Sequence, residues 1–167
     1  LHGLREALRR RVELRELAWG GGGRLAAVAR DAAWYPLGLS RAARGCDVLH
    51  CPTFRGPFSS AVPLVVTVLD VGVLRHPELF NRWNRTYSRF AVPRVLRAAR
   101  RLIAISEFTK SELVALVGID AERIDVIGVP PRASLSAEGA AAEGEYVLAV
   151  GTLEPRKNLA QAAEAAR

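Results

Sequence analysis

The chain has 167 residues, of which 50% are hydrophobic and 25% charged, with a mean hydropathy of +0.09. That is enough apolar material for one sizeable core, or for one domain and a piece of another, and it excludes disorder as a description of the whole. The formal net charge of +7 suggests anionic partners, but only Lys110 and Lys157 are lysines, and the arginines are scattered without interleaved exposed aromatics or a nucleic-acid motif, so no nucleic-acid partner is expected.

Taken in chain order, residues 4–10 carry a helical pattern and 12–17, VELREL, read as a first strand. No methionine occurs, even at position 1, so Leu1 is not a translation start and the native N-terminus is expected upstream. Four glycines at 20–23 break the chain; no G-x-G-x-x-G register follows a strand there, which makes the run a loop rather than a phosphate cradle. A helical pattern fills 25–44, and 47–51, DVLHC, is a strand. Cys46 and Cys51 flank it: five steps of about 3.3 Å separate their Cα atoms by roughly 16 Å, beyond the ~7 Å reach of a disulfide. Two free thiols fit a reducing cytoplasm. His50 and Cys51 point to opposite faces of that strand and no C-x-x-C pair exists, so no metal site is expected.

The next strand, 64–69, lies in the longest apolar run, 61–69, which Asp70 closes at about half the ~20 residues a bilayer span requires. Residues 78–100 form a helical pattern with an apolar stripe of Tyr87, Ala91, Val95 and Ala98 or Ala99, and Pro93 predicts a kink. Its other face carries Arg82, Arg85, Arg89, Arg94, Arg97 and Arg100, which suits either contact with anionic lipid or plain solvation. After a strand at 101–105, Ser106 is placed to cap a helix at 107–117 and Gly118 to end it in the left-handed region. A strand at 124–127 follows. Residues 130–145, PPRASLSAEGAAAEGE, hold no large apolar side chain after Leu135 and read as a linker, and 146–150 then begin a fresh strand, loop and helix. Strands alternating with helices predict a parallel sheet with helices on both faces. The domains expected are 1–133, a linker at 134–145, and the start of a second domain at 146–167.

Four landmarks in this order, DVLHCP, VVTVLD followed by LRHPELF, RLIAISEFTKSEL with ERIDVIGV, and VGTLEPRKN, give the chain its resemblance to the GT-B glycosyltransferases, and within them to the retaining glycosyltransferase family four. The resemblance implies two Rossmann-like domains across a cleft, the N-terminal one holding acceptor and the C-terminal one nucleotide sugar, with the family's first strand preceding Leu1. It implies that Arg156 and Lys157, with Gly151 and Thr152, hold the donor diphosphate; many relatives place an arginine where this chain has Thr152. An arginine and a lysine in a loop entering a helix supply the donors for such a group, and they take the place of a divalent ion, so no cofactor and no metal are expected beyond the nucleotide-sugar substrate.

Leu69 stands where the family commonly has a histidine facing the reacting sugar, and leucine neither gives nor takes a proton, so no catalytic residue is assigned. Asp70, at the carboxyl end of its strand, either orients an acceptor hydroxyl or caps the following turn. His76 either lines the acceptor side or stacks beside Pro77. The resemblance thus implies a part of an enzyme, inactive on its own, that moves sugar from a nucleoside diphosphate onto a saccharide or lipid-linked hydroxyl acceptor in polysaccharide biosynthesis, in the cytoplasm or at its membrane face. The alternative is a non-catalytic α/β binding or assembly module on the same fold, and Leu69 is what favours it.

Overall fold

The structure is a computed structural model that describes residues 2–130, 144–152, 154 and 157–166. Its contacts divide the chain into two compact units, Leu1–Pro130 and Pro131–Arg167.

The first unit is a Rossmann-like α/β layer. Four parallel strands, β1 (Leu49–Cys51), β2 (Leu64–Val68), β3 (Arg101–Ala104) and β4 (Ile124–Val126), lie side by side in sequence order. Leu49 is opposite Leu64, Val66 opposite Leu102, and Leu102 opposite Ile124, which puts apolar side chains in rows across the sheet. One face is dry: Leu64, Val66, Val68, Leu102 and Ala104 are at most 1% exposed. They join one cluster with Leu39 and Ala43, with Val92, Val95, Leu96 and Ala99, and with Leu113, Val117 and Ile119. On the other face His50, Val65, Thr67, Ile103 and Asp125 are half-buried, and His50 Nε2 and Thr67 Oγ1 satisfy each other at 2.9 Å. The apolar runs of β2 and β3 therefore keep water out completely from one side only.

The helices are α1 (His2–Arg9), α2 (Arg24–Ala29), α3 (Leu39–Ala42), α4 (Gly72–Arg75), α5 (Arg82–Ala98) and α6 (Glu107–Val117), of which α3, α5 and α6 bury side chains against the sheet. The pattern at 25–44 is helical but not a single α-helix. Residues Arg30–Gly38 run in the wider π register with Pro36 inside, and a register of five absorbs the missing N–H and the ring of a proline that an α-helix of that length would not. The helix expected at 78–100 is split: Pro77–Leu79 is a 3₁₀ turn, and Asn81, accepting from Asn84 N–H at 2.8 Å, starts α5 afresh. Helix α5 runs through Pro93 to Ala98. Ser106 caps α6 by accepting from Thr109 N–H at 3.1 Å, and Gly118 ends it at φ 69°.

The strand expected at 12–17 does not form. Glu13, Arg15 and Glu16 leave it too polar for a sheet interior, and the segment is without regular structure after α1, with Leu14 and Leu17 partly buried and Glu16 held by Arg5 and Arg9.

In the second unit, 146–150 forms no ladder, and Tyr146, Val147, Leu148 and Val150 are all more than half exposed. The expected strand is corrected for a physical reason: a strand exists only through a neighbour's hydrogen bonds, and none is offered among the described residues of that unit. Helix α7 (Leu159–Ala165) forms as expected. The linker expected at 134–145 lies outside the described residues except for Gly144 and Glu145.

Candidate functional site

The carboxyl ends of β2 and β3 face a cleft of about 280 Å³. One wall is the turn that leaves β2, with Asp70, Val71, Gly72, Arg75 and His76; the other is the first turns of α6, with Phe108, Thr109 and Glu112. Crevices of this kind, at strand carboxyl ends, are where open α/β sheets bind ligands. Leu69, the first residue past β2, is 46% exposed, so an apolar surface stands where the resemblance expects a proton-carrying side chain. Asp70 Oδ1 accepts from Gly72 N–H at 2.9 Å and so caps the turn. Its Oδ2 makes no hydrogen bond among the described residues, which leaves one oxygen for a hydroxyl. His76 lies on the same wall, its Nδ1 3.3 Å from Glu78 Oε1. Beneath it Arg75 Nη1 donates to Glu112 Oε1 at 2.8 Å and Oε2 at 3.0 Å, tying α4 to α6. The Glu112 side chain is 9% exposed and that of Arg75 49%. This tie fixes the distance between the two walls.

The loop of the second unit is built locally. Glu154 N–H donates to Thr152 O and Lys157 N–H to Glu154 O, both at 2.9 Å, while Thr152 Oγ1 donates to Glu154 Oε1 at 2.8 Å. Lys157 Nζ folds back over Gly151, so close that a side chain there would meet it at 2.7 Å. A larger residue there would push the exposed lysine end aside. Lys157 is exposed and forms no ion pair among the described residues. Asn158 enters α7 at φ 46° without a side-chain cap, and its Nδ2 donates to Gln161 Oε1. Arg156, expected beside Lys157 on the donor phosphates, lies outside the described residues. Lys157, Gly151 and Thr152 are thus grouped in one loop, as Asp70 and His76 are grouped in one cleft.

Residues 4–129 match the family described as Glycosyltransferase Family 4. The chain belongs to glycosyltransferase family 4. No curated protein and no solved structure matches it. The family match covers the sheet and the cleft and stops short of the EPRKN loop, so the two groups of residues rest on different support. Within the family-four domain, no group of three or more His, Cys, Asp or Glu side chains suited to a metal occurs among the described residues, and no helix is long and apolar enough to cross a membrane. Burial pushes the Cys51 thiol up to about 12, which keeps it protonated and inert in the core at neutral pH.

Sequence reasoning missed Arg75 and Glu112, which lie 37 residues apart. Their signals were present inside landmark stretches: Glu112 in SEFTKSEL sits on the α6 face bearing Thr109 and Leu113, all buried, and a buried glutamate requires a cation.

Proposed function

We propose that this family-four chain is part of a retaining glycosyltransferase that moves sugar from a nucleoside diphosphate to a hydroxyl of a saccharide or lipid-linked glycan. The observation that carries the reading is the cleft between Asp70–His76 and α6, at the carboxyl ends of two parallel strands in a domain of this family. Asp70 Oδ2 accepts the proton side of the acceptor hydroxyl and so aims its oxygen at the sugar; His76 Nε2, without a partner among the described residues, contacts a second hydroxyl. The donor diphosphate lies against Lys157 and Arg156, over Gly151 and beside Thr152, and the cations neutralise the leaving group without a metal. Leu69 contributes shape and takes no proton.

Calorimetry with UDP and GDP tests the donor half. A charge-assisted contact is worth about 1.5–3 kcal/mol, so Lys157→Ala weakens both ligands roughly tenfold, and equally, because the contact reads phosphate. Equal affinity in variant and wild type rejects this site. A second reading, a non-catalytic binding module, is favoured by Leu69; transfer activity in the intact protein that Asp70→Asn abolishes decides against it.

The exposed face of α5 supports a peripheral membrane contact on the cytoplasmic side. Arg82, Arg85, Arg89 and Arg94 form no ion pair among the described residues, and Trp83 and Phe90, which share the side of the helix that carries Arg94, are 45% and 57% exposed. An exposed basic helix with apolar rings on one flank suits an anionic lipid surface. Sedimentation with vesicles tests it: equal binding to neutral and anionic vesicles rules out the electrostatic contact.

A further inference from the structure

A second polar group gathers at the carboxyl edge of the sheet, from stretches far apart in the sequence. Asp31 comes from the π-helix, Arg55 from the loop that leaves β1, and Trp83 and Tyr87 from the first turns of α5, which itself follows the turn leaving β2. Asp31 is 3% exposed. Its Oδ2 accepts from Trp83 Nε1 at 3.4 Å, and its Oδ1 lies 3.7 Å from Arg30 Nε and 3.8 Å from Arg55 Nε, too far for hydrogen bonds. Arg30 Nε, Asp31 Oδ1, Arg55 Nε and Tyr87 Oη are all buried without a hydrogen bond. Buried polar groups are nearly always satisfied, and four orphans in one place mark a site held for something other than stability. The π-helix beside them is a rare element that concentrates at functional sites.

The charges do not cancel. Two guanidiniums face one carboxylate, and the Arg30 and Arg55 side chains are 32% and 36% open to solvent. Their Nη atoms make no hydrogen bond among the described residues. The buried carboxylate therefore holds the inner nitrogens of two arginines side by side and leaves their outer forks facing water with a net positive charge. Around them stand the Tyr35 ring, 5.8 Å from Arg30 Cζ, and Trp83, stacked on Tyr87 and half exposed.

We propose that Arg30 and Arg55, paired on Asp31, form a binding site for a phosphoryl group. Two planar forks offer more donors than the two oxygens of a carboxylate can use, whereas the terminal oxygens of a phosphoryl group engage both at once. Resting on the glycosyltransferase reading, the phosphoryl group belongs to the acceptor, a phosphorylated sugar or a lipid head group, and the neighbouring aromatic rings wall its apolar or sugar part. Asp31 acts through the arginines and is a positioning residue.

The test is calorimetry of inorganic pyrophosphate on the 167-residue chain carrying Lys157→Ala, so that the donor loop adds nothing. Binding near a dissociation constant of about 1 mM is expected, weakened roughly tenfold by Arg30→Gln or Arg55→Gln and unchanged by Arg44→Gln, an exposed arginine ahead of β1. Thermal melts confirm that the variants fold, and Arg55→Lys, which keeps the charge and loses the fork, gives a partial loss. Undetectable binding, or equal binding in wild type and the Arg30→Gln/Arg55→Gln double variant, overturns the site. Vesicles of phosphatidylcholine with phosphatidic acid separate the sources: co-sedimentation lost in Arg55→Gln assigns a lipid head group, and pyrophosphate binding without Arg55-dependent co-sedimentation assigns a soluble phosphorylated sugar. The UDP and GDP affinities of Lys157→Ala stand apart from this result, so either site can fail while the other holds.

Discussion

Among the described residues two buried carboxylates stand with arginines at the same edge of the sheet, and they are built oppositely. At Glu112 the pair is closed: one guanidinium nitrogen reaches both oxygens at 2.8 and 3.0 Å. At Asp31 the group is open: two arginines stop at 3.7 and 3.8 Å, and a tyrosine hydroxyl nearby has no partner. The closed pair joins α4 to α6 across the cleft. The open one joins nothing tightly, and its arginines reach outward. Similar residue types thus serve either as a brace or as a held pair of donors, and the difference lies in whether hydrogen bonds are completed inside the protein.

The largest effect is expected at the brace. Arg75→Ala strands the Glu112 carboxylate in the core. Removing one partner of a fully buried pair costs about 3–5 kcal/mol, but Arg75 is half exposed and water replaces part of its contribution, so a loss of about 2 kcal/mol is expected. For a chain of this size that lowers the melting temperature by roughly 4–8 °C. Arg75→Lys restores part of it through the charge alone. An unchanged melt in Arg75→Ala means that Glu112 does not depend on the arginine, and the contrast between the sites collapses.

A smaller effect is expected at the open group. Asp31→Asn removes a buried charge whose two cations already reach solvent, and the asparagine oxygen still accepts from Trp83. Removing one partner of a buried pair is costly, but both arginines are about one third exposed and water takes over part of the lost attraction, so a loss of about 1 kcal/mol, smaller than that of Arg75→Ala, is expected. A denaturant titration showing a loss as large as that of Arg75→Ala makes Asp31 an ordinary structural counter-ion and removes the basis for the phosphoryl site.

The contrast also separates what was legible in the sequence from what was not. Strands β2 and β3 and helix α6 were readable because their causes are local: LVVTV and RLIA are apolar runs, Ser106 caps, and Gly118 stops. The cleft was partly readable, since Asp70 and His76 follow β2 in one landmark stretch. The strands expected at 12–17 and 146–150 failed because strand propensity is local whereas a ladder needs a partner elsewhere. The group at Asp31 was invisible for a related reason. Its members stand at 30 and 31, at 55, and at 83 and 87; no spacing links these three segments, and only the packing of the π-helix against the start of α5 and the loop after β1 brings them together.

The smallest effect, and the finest test of the contrast, concerns Tyr87. Burial pushes its hydroxyl up to about 12, with the Asp31 charge adding to the shift and Arg55 opposing it. At neutral pH that hydroxyl is desolvated and bonds to nothing, so Tyr87→Phe leaves stability unchanged or raises it by a few tenths of a kcal/mol, where deleting a satisfied buried hydroxyl costs about 1 kcal/mol. The pH dependence follows from the direction of the shift. The folded-state value lies above the ordinary 10, so the folded chain holds its proton more tightly than the unfolded one. The associated stability is full below pH 10 and is lost as pH rises toward 12. Phenylalanine has no such loss. Denaturant midpoints at pH 7 and at about pH 11 therefore shift relative to wild type in favour of the variant at the higher pH, with Cys51 titrating alike in both proteins. A loss of about 1 kcal/mol or more in Tyr87→Phe at pH 7 shows that the hydroxyl is already satisfied within the protein. The group around Asp31 is then a second brace, closed like the first, and the outward arginines are only its exposed ends.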